Sequence, residues 1–184
     1  MSNNIAVLGV DGTGKSTVLS SLKEKLGDKC VLQYMGYRSF NNKRIGELQK
    51  KANKNVYENV TLIISIYLDF RGRVKKAKKT KKIVIYDRYV HEIYINSLGK
   101  SRFLYKLLYK YLFPQPKALV YLYCNADTSF ARKDDIIDKQ AFIDMKKRFD
   151  SSFMNKKNVL SLSSDEYTPE QLADKIIAYL NNSH

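Results

Sequence analysis

The run Gly9-Val10-Asp11-Gly12-Thr13-Gly14-Lys15-Ser16-Thr17 has the spacing G-x-x-x-x-G-K-[ST]. Glycines at those positions permit a tight loop whose backbone N–H groups converge on phosphate oxygens, and a helix opening behind the loop adds a favourable dipole. Lys15 is then placed to bridge the β- and γ-phosphates of a nucleotide, and Ser16 offers a hydroxyl to Mg²⁺. Asp11, Gly12, Thr13, Gly14 and Thr17 complete the nucleotide-binding set. A second chemical group, Asp87-Arg88-Tyr89, follows the apolar run Ile83–Tyr86. An acid at the carboxyl end of a strand lies where ligands gather in open α/β sheets, so Asp87 can organise the magnesium shell. Arg88 suits an anion such as a phosphate or an acceptor's phosphoryl group, or else a simple ion pair with Asp87. No second acid stands beside Asp87 to align water, which points to group transfer rather than hydrolysis.

Those residues need a scaffold, and the apolar β-prone runs Ile5–Leu8, Val31–Tyr34, Ile83–Tyr86, Leu119–Tyr123 and Val159–Leu162 supply five strands. Their near-continuous hydrophobicity implies burial on both faces, as in a parallel sheet covered by helices. Val18, Leu19, Leu22 and Leu26 mark a helix closed by Gly27. Val56, Val60, Ile63, Tyr67, Phe70 and Val74 mark a second, whose surplus apolar residues either pack in the core or meet a second copy in a homodimer through residues 56–74. Arg102–Leu112 reads as a helix stopped by Pro114 and Pro116. Thr168-Pro169-Glu170-Gln171 is a capping box for the last. The expected class is α/β, a three-layer α/β/α fold with a five-stranded parallel sheet. No repeat or linker divides the 184 residues, so a single domain over 1–184 is expected.

Lys and Arg number 33 against 18 acids, a formal charge of +15, which favours anionic partners. The densest cluster, Lys75, Lys76, Lys78, Lys79, Lys81 and Lys82, reads as a helix end complementing the dipole or as a polyanion-binding face. No aromatic-interleaved motif accompanies it, which argues against sequence-specific nucleic-acid recognition. No apolar stretch approaches the roughly 20 residues that span a bilayer. Met1-Ser2-Asn3-Asn4 has no basic n-region, so a cytoplasmic location is expected. Cys30 and Cys124 lie in apolar runs and read as reduced core residues.

On Gly9–Thr17, including the acid at Asp11, on Asp87-Arg88-Tyr89, and on the strand and helix order, the chain resembles the thymidylate kinase-like family of P-loop nucleoside and nucleotide kinases. The resemblance implies that Asp11 contacts the acceptor's sugar hydroxyl and that Arg71, rather than Arg73, contacts the acceptor from the helix before the third strand, with Arg88 and Tyr89 nearby. It implies a short lid near 131–139. Because the phosphate loop lacks an arginine, the same logic assigns the catalytic arginine to Arg132, whose bland alternative is a helix-surface cation. Two segments depart from thymidylate kinases. Val90-His91-Glu92-Ile93-Tyr94-Ile95-Asn96 replaces the stretch that reads the base, and Gly36-Tyr37-Arg38-Ser39-Phe40 lacks the arginine-acid-proline run. Arg38 and Tyr37 still fall at a strand's carboxyl end, facing the acceptor cleft. His91 and Glu92 either meet the acceptor or, for His91, sit on a helix surface.

The expected activity is an ATP- and Mg²⁺-dependent phosphotransferase acting on a nucleoside monophosphate such as dTMP. Alternatives are a kinase of a nucleoside or sugar-type acceptor, in which Asp11 becomes a candidate base, and an ATP-binding protein without turnover.

Overall fold

The computed structural model describes residues 4–36, 56–96, 107, 110–133 and 138–182. Five parallel strands form one sheet: β1 (Asn4–Leu8), β2 (Cys30–Tyr34), β3 (Ile83–Asp87), β4 (Ala118–Tyr123) and β5 (Val159–Ser163). Their spatial order is β2-β3-β1-β4-β5. Each expected strand is present, longer by one residue at one end.

The period-two alternation of β1 divides the core. Ile5 and Val7 face α1 (Lys15–Leu26) and the last helix (Pro169–Asn182), packing with Val18, Leu22, Leu172 and Ile176. Ala6 and Leu8 face the other layer, built from α2 (Val56–Lys78), the short α3 (His91–Asn96) and two later helices, α4 (Ala126–Arg132) and α5 (Lys139–Phe153). The last helix is α6. Phe70 of α2 and Phe149 of α5 are buried there, each contributing about 2–3 kcal/mol of apolar transfer.

Local signals operate as expected at two ends. Gly27 takes φ +52° and its N–H donates to the Lys23 carbonyl, closing α1. Thr168 and Gln171 satisfy each other reciprocally before α6: the Thr168 N–H donates to Gln171 Oε1 at 2.9 Å and the Gln171 N–H to Thr168 Oγ1 at 3.3 Å. The lysine cluster lies at the end of α2, with Lys75, Lys76 and Lys78 in its last turn.

Other expectations shift. On α2 the buried stripe runs Leu62, Ile63, Ile66, Phe70, Val74 and Ala77, while Val60 points outward; the 3.6-residue period is right but its phase lies nearer Ile66. His91 is not on a helix surface. Its ring is buried between Tyr89 and Phe153, at centroid distances of 5.9 and 5.8 Å. Within the expected helix over Arg102–Leu112, Leu107 and 110–112 are helical and the remainder lies outside the described residues, as do Tyr37, Arg38 and positions 134–137 of the expected lid.

The sheet order has a direct consequence for the site. β1 is central, β3 and β4 flank it, and Val7 pairs with Asp87. The loop leaving β1 and the triplet leaving β3 therefore emerge side by side at the carboxyl edge of the sheet.

Candidate active site

Between β1 and α1 the chain folds back around its own lysine. Gly12 and Gly14 take φ +81° and +76°, and a Cβ on Gly12 would stand 2.8 Å from the backbone of Ser129. Only glycine fits there without moving α4. Thr13 Oγ1 donates to the Val10 carbonyl at 2.8 Å, and Lys15 Nζ donates to the carbonyls of Gly9 and Val10 at 2.6 and 2.7 Å. Burial, helped by the neighbouring Arg88 guanidinium, lowers the Lys15 pKa to about 8. A cation held in this environment gains strongly from an anion that reaches it. Ser16 and Thr17 are exposed in the first turn of α1. Ser16 and Asp87 line the same cleft of about 450 Å³ together with Lys15, Arg88, Arg132 and Lys133.

Arg88 is the most constrained side chain of the site. It has φ +65°, which an arginine adopts only at a cost of about 1–2 kcal/mol. Its backbone N–H donates to the Val7 carbonyl at 3.0 Å. Its guanidinium donates from Nη2 to Asp11 Oδ1 at 2.5 Å and from Nη1 to Glu92 Oε2 at 2.8 Å. The expected alternative partner, Asp87, is not the one it takes. Burial opposes the charge on Arg88, but Glu92 and Asp11 outweigh it and raise the guanidinium pKa further. Burial pushes Asp11 upward, yet Arg88, Lys15 and Lys133 pull harder and its carboxyl ends below the usual range. Glu92 and Asp87 both move upward because burial dominates.

The arrangement brings together Asp11, Gly12, Thr13, Gly14, Lys15, Ser16, Thr17, Asp87, Arg88 and Arg132. Arg132 ends α4 and reaches across to Ser164, with Nη1 at 3.2 Å from its hydroxyl and Nη2 at 3.4 Å from its carbonyl. It thereby walls both the phosphate cleft and a second hollow of about 500 Å³ lined by Thr17, Ser164, Tyr167 and Pro169. Two expected residues lie elsewhere. Arg71 is exposed, donates to Tyr67 Oη at 3.3 Å and lines a groove away from the cleft, while Arg73 pairs with Asp69 at 2.7 Å. Tyr89 is buried, and its hydroxyl donates to the Pro114 carbonyl. Sequence reasoning missed three contributors: Lys133, 3.6 Å from Asp11; the loop after β5; and Glu92 as partner of Arg88. The i,i+4 spacing of Arg88 and Glu92 was the available signal for the last.

Hard oxygen donors fit Mg²⁺, and the Ser16 hydroxyl with the Asp87 carboxylate provides two beside Lys15. Among the described residues no group of three or more His, Cys, Asp or Glu could hold a metal by itself. A metal shared with substrate phosphates needs no such cage.

The thymidylate kinase family profile matches residues 7–176. The chain belongs to the thymidylate kinase family. A curated relative described as probable thymidylate kinase 1, from Saccharolobus solfataricus, is 29% identical over 136 residues, covering 72% of this chain and 70% of the relative. Among solved structures, thymidylate kinase from Candida albicans superimposes with a TM-score of 0.71 at 17% identity, covering 100% of this chain and 93% of that one. Deoxyadenosine kinase from M. mycoides with dCMP and dCDP bound gives 0.64 at 19% identity, covering 97% and 99%. Both likenesses support the fold of this chain, a five-stranded parallel sheet flanked by helices. As a member of the thymidylate kinase family the chain is a P-loop nucleotide kinase, a phosphotransferase with nucleotide substrates. No helix among its described residues is long and apolar enough to cross a membrane.

Proposed function

We propose that the protein transfers the γ-phosphoryl group of ATP, with Mg²⁺, to a nucleoside monophosphate such as dTMP, within one domain spanning residues 1–184. The observation that carries this reading is the convergence of Lys15, Asp87 and the doubly clamped Arg88 on one cleft. In this reading Lys15 binds the β- and γ-phosphates, and the N–H groups of Gly12–Thr17 cradle them. Ser16 and Asp87 would hold Mg²⁺, which when bound neutralises charge between the phosphates. Arg132 leaves Ser164 to meet the transferring group, and the hollow beside it takes the base of the donor. Arg88 grips the acceptor phosphate with the N–H groups that Asp11 and Glu92 leave free. Asp11 meets the acceptor's sugar hydroxyl. Arg38, outside the described residues, would close the acceptor side, whereas Arg71 as placed does not reach the cleft.

A phosphate acceptor is favoured over a free hydroxyl because a hydroxyl needs a base. Asp11 lies in the cleft, but Arg88 and Lys133 hold its carboxylate below the usual range and make it a weak proton acceptor. A phosphate oxygen is already anionic and attacks without one.

The test is Mg²⁺-dependent ADP formation with dTMP, other nucleoside monophosphates, free nucleosides and sugars, each against an acceptor-free control. Stimulation by a monophosphate supports the reading. Stimulation by nucleosides or sugars alone overturns the acceptor assignment while leaving the kinase chemistry intact. Tight ATP binding without stimulated turnover overturns both.

We also propose a homodimer through α2 around residues 56–74, whose outward side chains Val60, Ile64 and Leu68 are 44, 52 and 60% exposed in an uncharged i,i+4 row. Light scattering across a concentration range tests it. A monomer throughout rejects it.

A further inference from the structure

At its carboxyl end α2 changes character. Arg71, Lys75, Lys78 and Lys79 line a shallow groove of about 470 Å³ whose floor is Val74 and whose far wall is Pro114. Lys75, Lys78 and Lys79 are exposed and make no ion pair with any described residue. Directly before Pro114 the chain carries large apolar side chains in water: Tyr111 is 70% exposed and Leu112 47% exposed, with Leu107 one helical turn earlier at 43%. The next residue, Phe113, fixes this segment to α2 by edge-on contacts with Tyr67 and Phe70 at 5.4 and 5.7 Å. Exposed apolar side chains thus stand within a few residues of Pro114, the wall of the lysine groove, on the segment that Phe113 ties to α2.

Three occupants bear comparison. A second copy packed groove to groove, unlike one on the Val60/Ile64/Leu68 row, would bring lysine row against lysine row at a net charge of +15 per copy. A nucleic-acid strand would neutralise the lysines but leave Leu107 and Leu112 in water. An anionic lipid surface accepts both, the lysines among headgroup phosphates and the Tyr and Leu side chains at the acyl boundary. We propose that this face docks the protein peripherally on an anionic lipid bilayer. The carboxyl edge of the sheet, where the phosphate cleft opens, is a different surface, and the cleft stays accessible. The inference is independent of which acceptor is phosphorylated.

The experiment is co-sedimentation of the full-length protein with vesicles of phosphatidylcholine alone and of roughly three parts phosphatidylcholine to one of phosphatidylserine. Binding is expected to the mixed vesicles only, weakening as salt is raised. Each basic side chain near such a surface is worth about fivefold in partitioning, so the triple variant Lys75→Gln, Lys78→Gln, Lys79→Gln should lower it by about a hundredfold. The double variant Tyr111→Ser, Leu112→Ser should lower it by about tenfold with the salt dependence retained. Both variants change exposed positions away from the cleft and should keep the parent's melting temperature and turnover. Equal binding to both vesicle types, or none to either, overturns the proposal. So does a single-stranded oligonucleotide that binds in place of vesicles and loses affinity with the lysine variant alone. Self-association abolished by the Tyr111/Leu112 variant, without vesicle binding, overturns it in favour of a second copy.

Discussion

Glu92→Gln isolates what the buried carboxylate does for Arg88. The glutamine is nearly isosteric and keeps an oxygen within reach of Nη1, at the 2.8 Å now spanned by the ion pair. It removes only the charge. A hydrogen bond to a charged partner contributes about 1.5–3 kcal/mol and a neutral one about 0.5–1.5, so the guanidinium loses about 1–1.5 kcal/mol of orienting energy. Arg88 already sits at φ +65°, a conformation held by its surroundings, so a weaker clamp lets the side chain leave its productive position. The expected fall in kcat is about five- to tenfold. KM for the acceptor should not rise, because removing a negative charge beside Arg88 makes the cleft more attractive to a phosphate. Steady-state kinetics with dTMP or whichever monophosphate stimulates turnover reads the split, and a thermal melt checks folding. Unchanged kcat, or a KM increase at constant kcat, would refute the positioning role; recovery of kcat in Glu92→Asp, if the shorter acid still reaches, would strengthen it.

Three further outcomes follow from named atoms. Lys15→Ala should lower phosphoryl transfer by at least about a thousandfold while circular dichroism reports an intact fold, since Lys15 bonds only to carbonyls of its own loop; substantial turnover would remove the loop from the mechanism. Gly12→Ala places a methyl 2.8 Å from Ser129 at φ +81°, a strain of about 2 kcal/mol that should lower Tm by about 4–8 °C. Its affinity for ATP, read by calorimetry, should weaken too, and an unchanged Tm would contradict the close approach of α4. His91 is buried, which lowers its pKa from 6.5 to about 4. The unfolded chain therefore binds a proton below 6.5 that the folded chain refuses until about 4, and stability is lost as pH falls through that window, by up to about 3 kcal/mol. His91→Gln should flatten the fall in Tm between those pH values, and an equally steep fall would exclude His91 as its source.

The fold was legible because two strong signals agreed. Five doubly buried strands announce themselves as continuous apolar runs, and the glycine spacing before Lys15 has few structural solutions once a strand precedes it and a helix follows. The phase of α2 was harder to read. Val56, Val60, Ile63 and Tyr67 fit a helical stripe as well as Ile63, Ile66, Phe70 and Val74 do, because Leu62, Ile64, Ile66 and Leu68 make every face apolar; only packing against the sheet chooses Ile66 and leaves Val60 in water. The same limit applies to Arg71. Its sequence position beside Phe70 is compatible with the acceptor cleft, but Phe70 turns into the core, and the following residue projects toward Tyr67 and the lysine groove. Periodicity reports which residues share a helix face, whereas the register of that face against the sheet depends on the volumes it meets. Arg88 is the opposite case. Its place after Asp87 suggests an anion-binding residue, but the two carboxylates that orient it come from the phosphate loop and from the first turn of α3. Asp11 is brought to Arg88 by the pairing of β1 with β3 across 77 residues. The proposed phosphate-loop and Asp87-Arg88 residues are therefore local in sequence and readable, while the electrostatic poise of Arg88 is a property of sheet order, which places the ends of β1 and β3 beside one another.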